Sequence, residues 1–179
     1  MSENKGEKNP EKKSFFYDWI IPIVAAIFLA FLINKFVLFK IAVPTESMVP
    51  TVEAGDQIFV TRIYNPNNIE RGDIVVFKSD EFEDLLLKRV IGLPGDKVRI
   101  DDKGIVYVND EALDEPYVKN QKAEEREFSV PEGKFLMLGD NRANSNDSRY
   151  WANPYIDGSE IKAEARVRVY PFDRIGFVK

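Results

Sequence analysis

A chain of 179 residues with 44% hydrophobic and 12% aromatic side chains, 13 of them Phe, carries enough apolar material for one packed domain plus an appendage. It contains no His and no Cys, which excludes a Ser-His-Asp triad, an imidazole base, a His-ligated metal or haem, a thiolate nucleophile, a disulfide and a thiolate zinc or iron–sulfur site. The formal net charge of −5 removes the basic footprint expected of a nucleic-acid binder, and any general base has to be Lys, Asp, Glu or Tyr.

Residues 1–14 set Lys5, Lys8, Lys12 and Lys13 against three glutamates, with no apolar side chain after Met1, and read as a solvated polar arm. From Trp19 to Ile33 no residue is charged or polar, and after Asn34 and Lys35 the apolar run resumes at Phe36–Phe39. Ile20 to Phe39, wound as a helix, is about 30 Å long, the thickness of a bilayer's hydrocarbon core. The division predicted is an arm over 1–14, a transmembrane anchor over 15–39 and a domain on the far side of the membrane over 40–179. A buried core helix and a cleavable signal peptide are the other readings. The second wants a small-x-small site after the apolar run, and Phe39-Lys40-Ile41-Ala42-Val43-Pro44 offers none. Four lysines precede the run, while only Lys35 and Lys40 lie at its far end. The positive-inside bias therefore puts the N-terminus in the cytoplasm, the lipid bilayer around a single pass, and residues from 40 onward outside.

Past residue 40 the helical period is lost. Short apolar segments separated by Gly, Pro, Asn and Asp predict strands near Gln57–Ile63, Ile74–Lys78, Leu85–Ile91, Lys97–Ile100, Ile105–Val108, Glu127–Val130, Lys134–Leu138 and Ala165–Tyr170. Asp101-Asp102-Lys103-Gly104 joins two of them as a hairpin. The fold class expected is mainly β, an antiparallel barrel-like or sandwich-like domain behind one N-terminal helix.

Three clusters in this region carry chemistry. Pro44-Thr45-Glu46-Ser47-Met48-Val49-Pro50-Thr51 is a hydroxyl-rich loop stiffened by two prolines. It reads either as a turn with local hydroxyl–backbone bonds or as the seat of a nucleophile that needs a base. A lysine can be that base if desolvated: its ordinary pKa of about 10.4 has to fall by about 3 units, roughly 4 kcal/mol. In Leu85–Ile91, Lys88 shares a strand face with Leu86 and Val90, and Arg89 with Leu87 and Ile91. Alternation does not choose between the faces; only Lys88 could be a base, and a buried Arg89 would need a carboxylate. Gly139–Arg149, with nine polar residues in eleven, is either a solvated loop or a source of Asp140 and Asp147 as counter-ions for Arg89 and Arg149, with the Ser145 hydroxyl able to orient a neutral amine.

In order behind an N-terminal anchor, these clusters resemble the bacterial type I signal peptidases. The family's motifs appear as Pro44–Thr51, Arg71-Gly72-Asp73-Ile74-Val75-Val76-Phe77, Lys88-Arg89-Val90-Ile91-Gly92-Leu93-Pro94-Gly95-Asp96 and Gly139–Arg149. The resemblance implies a membrane-bound serine endopeptidase that removes signal peptides from exported precursor proteins, without a cofactor or metal. Position by position it implies Ser47 as nucleophile and Lys88 as neutral base. Ser145 would orient the lysine, and the Ser47 N–H and Thr45 hydroxyl would form the oxyanion hole, Thr standing where other members carry Ser. It also implies ion pairs Arg89–Asp140 and Arg149–Asp147 that hold the loops. Met48 and Leu87 are candidate walls of a pocket for small side chains. The single span looks like the Gram-positive type. A tethered β domain that binds a partner without catalysis is the rival, and it predicts Ser47 and Lys88 far apart. A self-cleaving repressor peptidase would carry a DNA-binding domain where this chain has its apolar run.

Overall fold

The computed structural model describes residues 16–179. The arm expected over 1–14, with its four lysines, and residue 15 lie outside the described residues. The chain divides into a helical unit ending at Leu38 and a unit comprising Phe39–Lys179.

In the helical unit a π-helical turn, Phe16–Ile20, runs into α1, Ile21–Phe36. Pro22 stands in its first turn, where a missing N–H costs no intrahelical bond. Tyr17–Phe36 is a 20-residue apolar helix with none of its residues buried within the protein, long enough to cross a bilayer. The helix stops three residues short of the expected Phe39, because Leu38–Ala42 is already strand β1. Lys40 in that strand donates through Nζ to Gln57 Oε1 at 2.8 Å. The resumed run Phe36–Phe39 is too short for periodicity to tell a helix from a strand.

The second unit is mainly antiparallel β. After β1 come β2 (Gln57–Arg62), β3 (Ile74–Ser79), β4 (Asp84–Gly92), β5 (Lys97–Ile100), β6 (Val106–Val108) and β7 (Glu111–Ala112). They are followed by β8 (Arg126–Ser129), β9 (Lys134–Leu138), β10 (Tyr155–Asp157), β11 (Ile161–Tyr170) and β12 (Gly176–Phe177). The larger sheet runs β1-β2-β11-β3-β4-β9-β10 with β12 beside β11, and the smaller runs β7-β6-β5-β8. The hairpin at Asp101–Gly104 joins β5 to β6, with Gly104 at φ +83° closing onto Asp101 C=O, a conformation that costs glycine little.

Twelve strands are present among the described residues where eight were expected. β7 and β12 have two residues each and leave no pattern to read. β11 begins at Ile161 rather than Ala165: Ile161, Ala163 and Ala165 are buried and alternate with Lys162 and Glu164. The period of two is there, carried by Ala, Lys and Glu, which have poor strand propensity.

β3 is buried on both faces. Ile74 and Val76 join one apolar cluster with Met48, Val52 and Ile58, while Val75 and Phe77 join another with Val90 and Met137. A third cluster, with Ile91, Val98 and Leu138, lies between β4, β9 and the smaller sheet. β4 is thus an interior strand covered on both sides, and the alternation that had to bury Lys88 or Arg89 buries both, at 4% and 3% exposure.

Candidate active site

Ser47 lies in the loop between β1 and β2. Met48, 1% exposed, plugs into the cluster with Val43 and Val52 and pins the loop to the domain. The turn's own bonds run from Val49 N–H to Glu46 C=O and from Val52 N–H to Met48 C=O and do not use the Ser47 N–H. Lys88 approaches from β4, one residue beyond the last β4–β9 pair, Arg89 with Leu138. There β9 has ended and the chain turns at Gly139, so the place of a strand neighbour is taken by the loops that carry Ser47 and Ser145.

Lys88 Nζ donates to Ser47 Oγ at 2.6 Å. Burial lowers the lysine pKa to about 8, against Asp147 and Asp140, whose charges raise it; Arg149 lowers it slightly further. The amine is therefore within a unit of neutral pH and in contact with a hydroxyl, the geometry a general base needs. A binding module indifferent to catalysis predicts these side chains far apart.

The Thr45 and Ser47 hydroxyl oxygens are 3.4 Å apart. Ser145 lines the same cavity and is 6% exposed, but its Oγ has no hydrogen-bond partner among the described residues. The expected contact to the lysine amine is thus not made: Lys88 is engaged with Ser47, and Ser145 is pressed against Gly139. A Cβ at Gly139 would lie 2.2 Å from Ser145 Oγ and 2.5 Å from Ser47 C=O. Gly139→Ala should therefore overpack the site by about 1–3 kcal/mol, measured as a lower urea midpoint of unfolding. An unchanged midpoint would contradict the close approach.

Both expected ion pairs are present and bidentate. Arg89 Nε and Nη2 reach Asp140 Oδ1 and Oδ2 at 2.8 and 2.6 Å. The guanidinium also donates to Gly72 C=O at 2.7 Å and stacks on Tyr117, 3.8 Å from the ring centre. Asp140 accepts from Thr51 Oγ1 at 2.5 Å, tying the loop that carries Ser47 to β4. Arg149 meets Asp147 through two bonds of 2.8 Å, and Asp147 also accepts the Gly139 N–H at 3.0 Å. Two partnerships escaped the sequence. Arg142 forms a further bidentate pair with Glu115, at 3.0 and 2.5 Å, and Asn141 bonds the carbonyls of Glu46 and Ser47. Each joins residues 27 or more apart, where no local pattern could betray it.

Two cavities flank the Ser47–Lys88 contact and share Thr45, Ser47, Leu86 and Lys88. One, of about 350 Å³, is walled by Ile41, Val43, Met48, Val76 and Leu87, so both candidate pocket residues face it. The other, of about 630 Å³, is more polar and includes Glu46, Phe82, Lys122, Ser145 and Tyr150.

A family model described as "Signal peptidase, peptidase S26" matches residues 16–170. A probable signal peptidase I-2 of Synechocystis is 40% identical over 164 residues, covering 87% of this chain and 74% of the relative. Signal peptidase I of Bacillus licheniformis is 34% identical over 181 residues, covering 94% and 96%. A crystal structure of a signal peptidase I from Enterococcus faecalis, 30% identical, superposes with a TM-score of 0.48 over 54% of this chain and 96% of that one.

Proposed function

This chain belongs to the signal peptidase family, peptidase S26, and we propose that Ser47 and Lys88 are the dyad with which it cuts signal peptides from exported precursor proteins. It is a serine endopeptidase with one N-terminal helix long enough to cross a membrane. The observation that supports the dyad most is the 2.6 Å contact between a buried lysine amine and the Ser47 hydroxyl.

Neutral Lys88 takes the Ser47 proton as Oγ attacks the scissile carbonyl. The oxyanion then faces the Ser47 N–H and the Thr45 hydroxyl, donors that cost no reorganisation as charge develops. When the tetrahedral intermediate collapses, Lys88 passes its proton to the leaving amine and the signal peptide stays as an ester on Ser47. Water, deprotonated by the same amine, hydrolyses that ester and frees the signal peptide. Ser145, buried and without a hydrogen-bond partner among the described residues, is the hydroxyl available to hold the amine once Ser47 has let it go. Arg89–Asp140 and Arg149–Asp147 hold the loops in register. The apolar cavity walled by Met48 and Leu87 suits small side chains before the cut, and the larger, more polar of the two cavities receives the leaving segment. The purified full-length chain in detergent should convert a signal-peptide-bearing precursor to one product whose new N-terminus follows small residues at the first and third positions before the cut. No conversion, or cleavage after large side chains, would contradict the reading.

The helix spans the lipid bilayer once with its N-terminus in the cytoplasm and the β unit outside, a topology supported by the excess of lysine before the span. Protease added to intact spheroplasts should digest the β unit and leave an epitope placed before residue 15 intact. Protection of the β unit until lysis would reverse the topology.

A further inference from the structure

Asn141, 6% exposed, follows Asp140 in the loop after β9. Its backbone N–H donates to Ser47 C=O at 3.1 Å, and its side-chain Nδ2 donates to Glu46 C=O, also at 3.1 Å. Its Oδ1 accepts from Asn120 Nδ2 at 3.0 Å, and Asn120 C=O accepts the Ala143 N–H at 2.9 Å. A backbone carbonyl only accepts, so Nδ2 is the end of the amide that faces Glu46, which leaves Oδ1 to accept from Asn120.

Glu46 C=O and Ser47 N–H belong to one peptide unit. The unit is planar, and since among the described residues cis bonds occur only before Pro50 and Pro171, its C=O and N–H point in opposite directions. A hydrogen bond that fixes the oxygen therefore aims the N–H, and it also strengthens the bond that the N–H makes in turn, by about 10–30%. We infer that Asn141 is a positioning residue for the oxyanion site: its Nδ2, locked by Asn120, holds the Glu46–Ser47 peptide so that the Ser47 N–H faces the scissile carbonyl. The inference rests on the reading of Ser47 as nucleophile and oxyanion donor.

A residue that only braced the loop would alter substrate binding and catalysis together. An aimed N–H is used chiefly when charge develops on the carbonyl oxygen, so its loss should appear in kcat. The full-length enzyme in detergent micelles is assayed on a peptide spanning a precursor's cleavage point. Asn141→Ala, and Asn141→Asp, which keeps the size and the acceptor but loses the donor, should each lower kcat about 10- to 100-fold with KM within about twofold. Asn120→Ala, which leaves the Asn141 amide free to turn, should cause a smaller loss of the same kind. In Asn141→Ala the acidic limb of kcat/KM should stay where it is, because the amine of Lys88 is untouched. Thermal unfolding checks that each variant is folded; should Asn141→Ala fail to fold, Asn141→Asp and Asn120→Ala carry the test. Retention of kcat within about twofold overturns the inference, as does a loss matched by a shift of KM or of the acidic limb. Ser47→Ala separates the two levels: if it cleaves, the nucleophile assignment is wrong, whereas an inert Ser47→Ala beside a fully active Asn141→Ala sinks the inference alone.

Discussion

Ser47→Ala and Lys88→Ala should each reduce precursor cleavage by about 10⁴-fold or more while leaving the β unit folded, because members of a catalytic unit fail together and not by additive steps. Lys88→Arg should be as inactive as Lys88→Ala. A guanidinium keeps its proton at any pH the protein survives, so it can hold Ser47 Oγ as a hydrogen-bond donor but cannot receive the proton. Turnover at fixed enzyme concentration, with folding checked by circular dichroism, decides the matter. Turnover above a trace in either alanine variant, or in Lys88→Arg, would remove Lys88 or Ser47 from the chemistry. Since the 2.6 Å contact is between a donor and an acceptor in either protonation state, the arginine variant is the one that separates proton transfer from positioning.

Asp140→Ala should produce the largest loss of stability of any single change at the site. It leaves the Arg89 guanidinium, 3% exposed, without the carboxylate that takes two of its bonds, and it frees Thr51 Oγ1 as well. Removing one partner of a buried pair costs about 3–5 kcal/mol, a large share of the 5–15 kcal/mol that usually holds a domain together. The urea midpoint should fall accordingly. Replacing both partners with apolar residues, Arg89→Met with Asp140→Leu, should recover part of the loss, because no charge is then buried alone. A midpoint for Asp140→Ala equal to the parent's would mean that the pair does not hold the Ser47 loop to β4.

The motifs were legible because their chemistry is local. A hydroxyl between two prolines, a lysine in an apolar run and a polar loop are each visible within a dozen residues, and the short apolar strands from β2 to β9, the two-residue β7 aside, could be placed the same way. What joins the site together was not. Alternation could not choose between Lys88 and Arg89, because the answer depends on β4 having neighbours on both sides and apolar clusters on both faces. The bond from Asn141 Nδ2 to Glu46 C=O crosses 95 residues, and backbone carbonyls carry no sequence signature. Ser145 was expected against the lysine, and instead its Oγ has no hydrogen-bond partner among the described residues. Side-chain hydroxyls rotate among several partners at little cost, and no motif specifies which one a given state of the enzyme uses.

The stability and the activity of the protein should both report the same titration. In the unfolded chain Lys88 titrates near 10.4, and in the folded one near 8. Between those values the unfolded state holds more protons, so stability should rise with pH from about 8 to 10.5; below about 8 the native state carries the whole cost, about 3 kcal/mol. Activity should likewise rise through pH 8 as the amine becomes neutral, giving kcat/KM an acidic limb centred there. The most direct measurement is the titration of Lys88 itself. In enzyme labelled with ¹³C at the lysine ε carbon, the resonance that disappears in Lys88→Arg is followed across the pH range beside the kinetic profile. A midpoint near 8 that coincides with the acidic limb of kcat/KM is the expected result. A Lys88 resonance that titrates near the ordinary 10.4, or a midpoint unrelated to the kinetic limb, would contradict its role as the base.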